Sequence, residues 1–152
     1  MTSQLNVDTI VDKAGSGGSN IKMANTSTYV SDGGAVTQNT VQGLNKQWIH
    51  FNGSGTVAIQ DSFNTASLTD VNTGEYKYAF TNIMNNTSYC ADSSSRGDGT
   101  NNNNRTAAIK IAAATEVEFS SFDCSEGAAQ DLAQNYGHTM GCLLYTSDAA
   151  DE

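Results

Sequence analysis

His50 and His138 are the only imidazoles in the 152-residue chain, and neither has a cysteine or a second histidine at the spacing of a metal-ligand pair. A nucleophilic triad would have to join one of them to a serine or cysteine and an aspartate. Those types are all present, but no G-x-S-x-G elbow or comparable setting presents a nucleophile. Paired carboxylates for glycoside hydrolysis would come from Asp61, Asp70 and Glu75. Sequence sets no separation between them, and exposed acids ordinarily just keep a surface solvated. Asp70-Val71-Asn72-Thr73-Gly74-Glu75 alternates oxygen-bearing side chains as a calcium loop does at its start. The downstream acid that completes such a loop is missing, and the same residues make a good hairpin turn. Gly15-Ser16-Gly17-Gly18 has no following Lys-Ser/Thr pair with which to cradle phosphate, and reads as a flexible turn. Arg96-Gly97-Asp98 matches an integrin-type adhesion tripeptide, and in a Ser/Gly/Asn-rich stretch a solvated turn is the plainer reading. No catalytic residue, cofactor site or metal site is assigned.

The aromatic side chains offer a different kind of chemistry. Trp48, Phe51, Phe63, Tyr76, Tyr78, Phe80 and Tyr89 present flat apolar faces of the sort that suit pyranose rings. Aromatics at alternating strand positions are more often core or cross-strand packing, so most of these are expected inside.

The elements that must position them are short strands. Trp48-Ile49-His50-Phe51 leads into Asn52-Gly53-Ser54-Gly55 and returns through Thr56-Val57-Ala58-Ile59, the run-turn-run pattern of a β-hairpin. A second hairpin turns at Asp70 to Gly74, and its outgoing strand, Glu75 to Phe80, sets Tyr76, Tyr78 and Phe80 on one face. The chain has no proline and 14 glycines, so Gly and Asn make the turns. Further strands are expected at Ser88–Ala91, Thr106–Ile111, Glu116–Phe122 and Tyr136–Met140. Ile109, Ile111, Val117 and Phe119 face inward, with Phe122 a further candidate. Ala112-Ala113-Ala114 is read as a bend, Asn39–Gln47 as one or two weak helical turns, and Asp123–Gln134 as a loop with a short helical turn. Between Asp92 and Arg105 the sequence DSSSRGDGTNNNNR reads as a long exposed loop. Upstream, Leu5 to Asp12 suggests one short strand. Met23–Gln38 is too poor in large apolar residues to bury a face within one chain, so it gains order mainly by packing on copies of itself.

The expected fold is therefore all-β: a small antiparallel β-sandwich over residues 48–141, preceded by an extended, stalk-like segment over 1–47. Residues 142–152, CLLYTSDAADE, resemble translated read-through of a transposase adapter used in sequencing-library preparation, and are set aside from fold reasoning. The chain carries a net charge of −9; Asp148, Asp151 and Glu152 supply three of those negatives and no Lys or Arg lies among the same residues, which leaves −6 for residues 1–141. An acidic chain disfavours nucleic acid and anionic membrane surfaces as partners. MTSQLNVDTIVDK lacks the basic start and apolar run of a secretion leader, and no stretch approaches the roughly 20 apolar residues of a membrane helix. Cys90 and Cys124 could pair across strands, but with no sign of an oxidising compartment two buried free thiols are expected.

The segment V-Q-G-L-x-K-x-W-I-x-F-N-G-x-G-T-V-A-I-x-D-S-F-N (Val41 to Asn64), followed by Ser67-Leu68-Thr69-Asp70, a turn ending Thr73-Gly74 and an aromatic strand, resembles the C-terminal region of tail fibre proteins of marine phages. The opening Leu5-Asn6-Val7-Asp8-Thr9-Ile10-Val11-Asp12 is similar to the start of such fibre chains. The resemblance covers most of residues 3 to 92, rests on ordered aromatics, glycines and asparagines, and fades beyond Asp92. It implies a virion tail subunit assembled in the host cytoplasm, a parallel homotrimer in contact with other tail proteins, which attaches the particle to a surface glycan or protein receptor without catalysis or membrane insertion. The receptor-facing loop expected on this view holds Ser93, Arg96, Asp98, Asn101, Asn102, Asn103, Asn104 and Arg105. Two alternatives stand beside it: a virion structural or decoration protein that touches no receptor, and a bacterial carbohydrate-binding adhesin module. The homotrimer reading predicts that residues 1–141 run as a trimer in light scattering after size exclusion; a well-folded monomer would remove the support for a stalk.

Overall fold

The computed structural model describes residues 28–30, 37–39, 43–97 and 105–141. The expected strand at Leu5–Asp12, most of the stalk-like segment and residues 142–152 lie outside the described residues. Among the described residues eleven strands follow one another: β1 (Thr28–Val30), β2 (Thr37–Asn39), β3 (Asn45–Asn52), β4 (Ala58–Phe63), β5 (Thr65–Asn72), β6 (Glu75–Phe80), β7 (Cys90–Arg96), β8 (Arg105–Ile111), β9 (Glu116–Asp123), β10 (Ala128–Ala129) and β11 (Gln134–Met140). There is no helix among the described residues. β1 and β2 pair only with each other, and every other strand belongs to one of two antiparallel sheets that pack as a sandwich. The first sheet runs β4-β3-β11-β7. In the second, β9 is central, with β8 along one side and β6, then β5, along the other; short β10 also pairs with β9.

Alternation explains why these segments are strands. In β3, Gln47, Ile49 and Phe51 are buried, while Trp48 is exposed and His50 and Asn52 are half-buried. This period of two overrides the weak helical signal expected for Asn39–Gln47: Asn39 ends β2, and Asn45–Gln47 open β3 because Gln47 continues the buried row. In β9 the buried row is Val117, Phe119, Ser121 and Asp123, so Phe122 takes the opposite parity and does not face the core. The helical turn expected within Asp123–Gln134 is a turn at 124–127 followed by β10. The two hairpins form as expected, joining β3 to β4 and β5 to β6. Cys90 and Cys124 are free thiols, but both are exposed and not buried as expected. Cys90 sits on the outward row of β7, and Cys124 enters the turn after β9.

Asn64 alone carries the chain from β4 in one sheet to β5 in the other, with φ 56°. Asparagine tolerates that left-handed backbone better than most residues. Its amide Nδ2 donates to the carbonyls of Lys46 (2.9 Å) and Asn82 (3.0 Å), and its Oδ1 accepts from the Asn82 N–H (2.6 Å). This ties the corner to the start of β3 and to the exit of β6.

The core holds Ile49, Phe51, Tyr76, Tyr78, Phe80, Met84, Tyr89, Val117 and Phe119. Phe51 makes edge contacts with Tyr76 at 5.0 Å and with Phe119 at 5.1 Å between ring centroids, each pair worth on the order of 1 kcal/mol beyond area burial. Tyr76 and Tyr78 rise from the second sheet and reach the backbone of the first. The Tyr76 hydroxyl donates to Asp131 Oδ1 at 2.8 Å, with the Gly53 carbonyl 3.1 Å away. Burial, more than any neighbouring group, holds both phenols protonated well above their usual range. A Cβ on Gly53 would meet the Tyr76 ring at 2.7 Å, and one on Gly137 would meet the Tyr78 hydroxyl at 2.7 Å, so each tyrosine requires a glycine opposite. Among the described residues the Tyr78 hydroxyl has no hydrogen-bond partner.

At one end of the second sheet, Arg105 at the start of β8 pairs with Asp123 at 2.6 Å, both largely buried. The Ser125 hydroxyl, the largest influence, holds the Asp123 carboxyl below its ordinary range; burial opposes this, while the Ser125 and Glu126 N–H groups and Arg105 add to it. A depressed carboxylate contributes stability above its unfolded pKa of about 4 and loses it as pH falls through the lower folded value.

Two predictions follow from this packing. Gly137→Ala should destabilise the fold by about 1–3 kcal/mol through overpacking. Tyr78→Phe alone should be neutral or stabilising, because it removes a buried unpaired hydroxyl, and it should relieve part of the Gly137→Ala penalty in the double variant. Denaturant titrations of the four proteins give the coupling, and strict additivity would show that the tyrosine–glycine fit is not what constrains the site. For the carboxylate, Asp123→Asn should cost more stability at pH 7 than at about pH 3. An equal cost at both would rule out a depressed Asp123.

Candidate functional site

Strand β11 sits in the middle of the first sheet, between β3 and β7, and its side chains divide by parity. Asn135, Gly137 and Thr139 are buried, while Gln134, Tyr136, His138 and Met140 turn outward. The outward rows of β3 (Trp48, His50), β4 (Asp61, Phe63) and β7 (Asp92, Ser94, Arg96) lie on the same face. Register brings them into two ladders across the sheet. Phe63 lies opposite Trp48, Trp48 opposite His138, and His138 opposite Asp92; in the next rung Asp61 lies opposite His50, His50 opposite Tyr136, and Tyr136 opposite Ser94. Side chains directly opposite in such pairs have Cβ atoms about 5 Å apart.

The result is an aromatic surface on the outside of the sandwich. Trp48, Phe63 and Tyr136 are 36%, 49% and 42% exposed. Trp48 and Phe63, expected with the core aromatics, therefore lie outside it, because both fall on the parity opposite Ile49 and Phe51. Phe51, Tyr76, Tyr78, Phe80 and Tyr89 are core, as expected. Among the described residues no aromatic ring packs against the Trp48 indole. Beside it His50 and Tyr136 stack on each other, with centroids 4.5 Å apart and ring planes at 15°. Gln134 Oε1 bridges the pair, accepting from the Tyr136 hydroxyl at 3.0 Å and lying 2.8 Å from His50 Nε2. Trp48, His50 and Tyr136 line a shallow depression with a volume of about 500 Å³, together with Asn45, Asp61, Gly137, His138 and Met140. That is within the size range of small-ligand sites. An exposed indole, a stacked His50–Tyr136 pair and several hydrogen-bonding groups can stack a ring and orient its polar substituents.

The opposite face of the sandwich has a different chemistry. Lys77 lies 3.7 Å from Glu116 and 3.4 Å from Glu118, and Lys110 lies 2.7 Å from Glu118, an exposed charge ladder across β6, β9 and β8. Such pairs contribute little stability individually but keep a face solvated.

The loop expected from Ser93 to Arg105 is shorter than its sequence suggests. β7 continues to Arg96 and β8 begins at Arg105, so Ser93 lies on a strand with its side chain toward the sandwich interior, opposite Gly137. The polar run CADSSSR reads as a loop by composition but is recruited into the sheet by β11, which pairs with all of it. Arg96 ends β7 on the outward face opposite Gln134, next to the aromatic ladders. Arg105 is committed to Asp123. Asp98 and Asn101, Asn102, Asn103 and Asn104 lie outside the described residues. Among the described residues no group of three or more His, Cys, Asp or Glu converges as a metal site, and Asp70 to Glu75 forms the β5–β6 hairpin. Sequence reasoning missed Tyr136, His138 and Asp61 as members of one surface. The available signal was parity: with Ile49 and Phe51 inward, Trp48 and His50 had to face out, and whatever strand paired with β3 would extend that row. No protein-family model, curated protein or solved structure matches the chain.

Proposed function

We propose that this chain is a tail fibre subunit of a phage, a virion structural protein, whose β-sandwich attaches the particle to a host-surface glycan through the outer face of the β4-β3-β11-β7 sheet. The observation that carries the reading is the pair of outward ladders, Phe63–Trp48–His138–Asp92 and Asp61–His50–Tyr136–Ser94. They hold exposed aromatic rings together with carboxylates, imidazoles and a hydroxyl. Stacking on Trp48 would supply affinity at low conformational cost, and the polar groups would select hydroxyl stereochemistry. The resemblance of residues 3 to 92 to marine phage tail fibres points the same way. It also implies a homotrimer docked on other tail proteins, in which several weak sites on one particle combine into firm attachment. Binding, not bond cleavage, is the role assigned to the face.

Trp48→Ala and Tyr136→Ala should each weaken binding of the purified protein to host cells by about tenfold or more, the effect of removing a central aromatic anchor. Because both side chains are on the outer face, far-UV circular dichroism should not change. Undiminished adsorption by both variants would assign attachment to another surface, or leave the chain as a decoration protein.

A further inference from the structure

The charges around the depression specify the class of glycan, an inference that rests on the binding role proposed above. Of its lining residues, Asp61 alone carries a formal charge when the histidines are neutral. Asp61 stands at the β4 end of one ladder, opposite His50, and Asp92 stands at the β7 end of the other, opposite His138. The aromatic centre thus has a carboxylate at each flank. Arg96 is a cation on this face, beside Gln134 at the end of β7 and, like Asp92, outside the depression's lining. The remaining polar groups of the two rungs, His50, His138, Tyr136 and Ser94, bear no charge with the imidazoles neutral, and residues 1–141 carry −6 overall.

We infer that the face takes an uncharged glycan and rejects carboxylated, sulfated or phosphorylated ones. A sugar ring on Trp48 lies within one or two strand spacings, roughly 5–10 Å, of both acids. An anionic substituent there meets like charge at short range, and no lining cation compensates it. Neutral hydroxyls gain from the same arrangement, because ionised carboxylates accept hydrogen bonds only and form the stronger, charge-assisted kind. Asp61 is then the specificity-determining residue. It accepts from a hydroxyl on the bound sugar while its charge excludes acidic glycans. Its Oδ1 also accepts from the Ser62 N–H at 2.9 Å, which restrains the carboxylate.

The test is a glycan panel probed with the protein, its Trp48→Ala variant and its Asp61→Asn variant. The panel holds neutral, amine-bearing, carboxylated, sulfated and phosphorylated oligosaccharides at low and high sodium chloride. The expected result is Trp48-dependent binding to neutral members, changing less than about twofold with salt. Asp61→Asn should lower it several-fold and raise the signal of acidic members relative to neutral ones. Trp48-dependent binding that requires a charge of either sign on the glycan, or that collapses with salt, overturns the charge selection and leaves the binding face in place. Trp48-independent binding, or none, removes the binding face and this inference with it.

Discussion

The sandwich depends on two tyrosine side chains that span it. Tyr76 and Tyr78 start on β6 and end against the backbone of the opposite sheet, where the absence of a Cβ at Gly53 and Gly137 leaves room for the phenols. The fit sets the distance between the sheets and their relative position along the strands, because a shift of two residues would set Tyr78 against the inward side chain of Asn135 or Thr139. Burial keeps both phenols neutral. The Tyr76 hydroxyl is anchored through Asp131, so the connection between β10 and β11 is held by the same side chain that fills the core. With Gly137 pinned inward, Tyr136 and His138 on either side of it are directed outward. Core geometry thereby determines which aromatic groups reach solvent.

The two outer faces have separate duties. One is an alternating ladder of lysines and glutamates that interacts well with water and with nothing in particular. The other concentrates the exposed aromatics, both histidines and a stacked pair fixed by one glutamine oxygen.

Much of the fold could be read from local pattern. β6 and β9 announce themselves by apolar residues at a spacing of two, and the β3–β4 turn by its glycines and asparagine, since each signal is contained within a few residues. β7 was legible only at its start, where the strand expected at Ser88–Ala91 overlaps Cys90 and Ala91; the rest of CADSSSR has no apolar stripe and becomes a strand only when β11 lies beside it. The same non-locality hid the candidate face. Trp48 and His138 become neighbours by pairing between the first strand of the sandwich and the last, and a residue's parity tells which way it faces but not what will stand next to it. Trp48 and Phe63 looked like core because large aromatics usually are, and their outward parity was the weaker signal until Ile49 and Phe51 were seen to occupy the interior.

One topological detail has a mechanical consequence. β3 and β11 are hydrogen-bonded neighbours, and Asn45 at the entrance to the sandwich is registered against Met140 at its exit. Chain arriving and chain departing therefore meet at one corner of one sheet. A body with such adjacent portals can be spliced into a longer polypeptide as a cassette, since the flanking segments need not be pulled apart to accommodate it. Tension along that polypeptide would load the β3–β11 pair first, the two strands that also carry the Trp48–His138 rung.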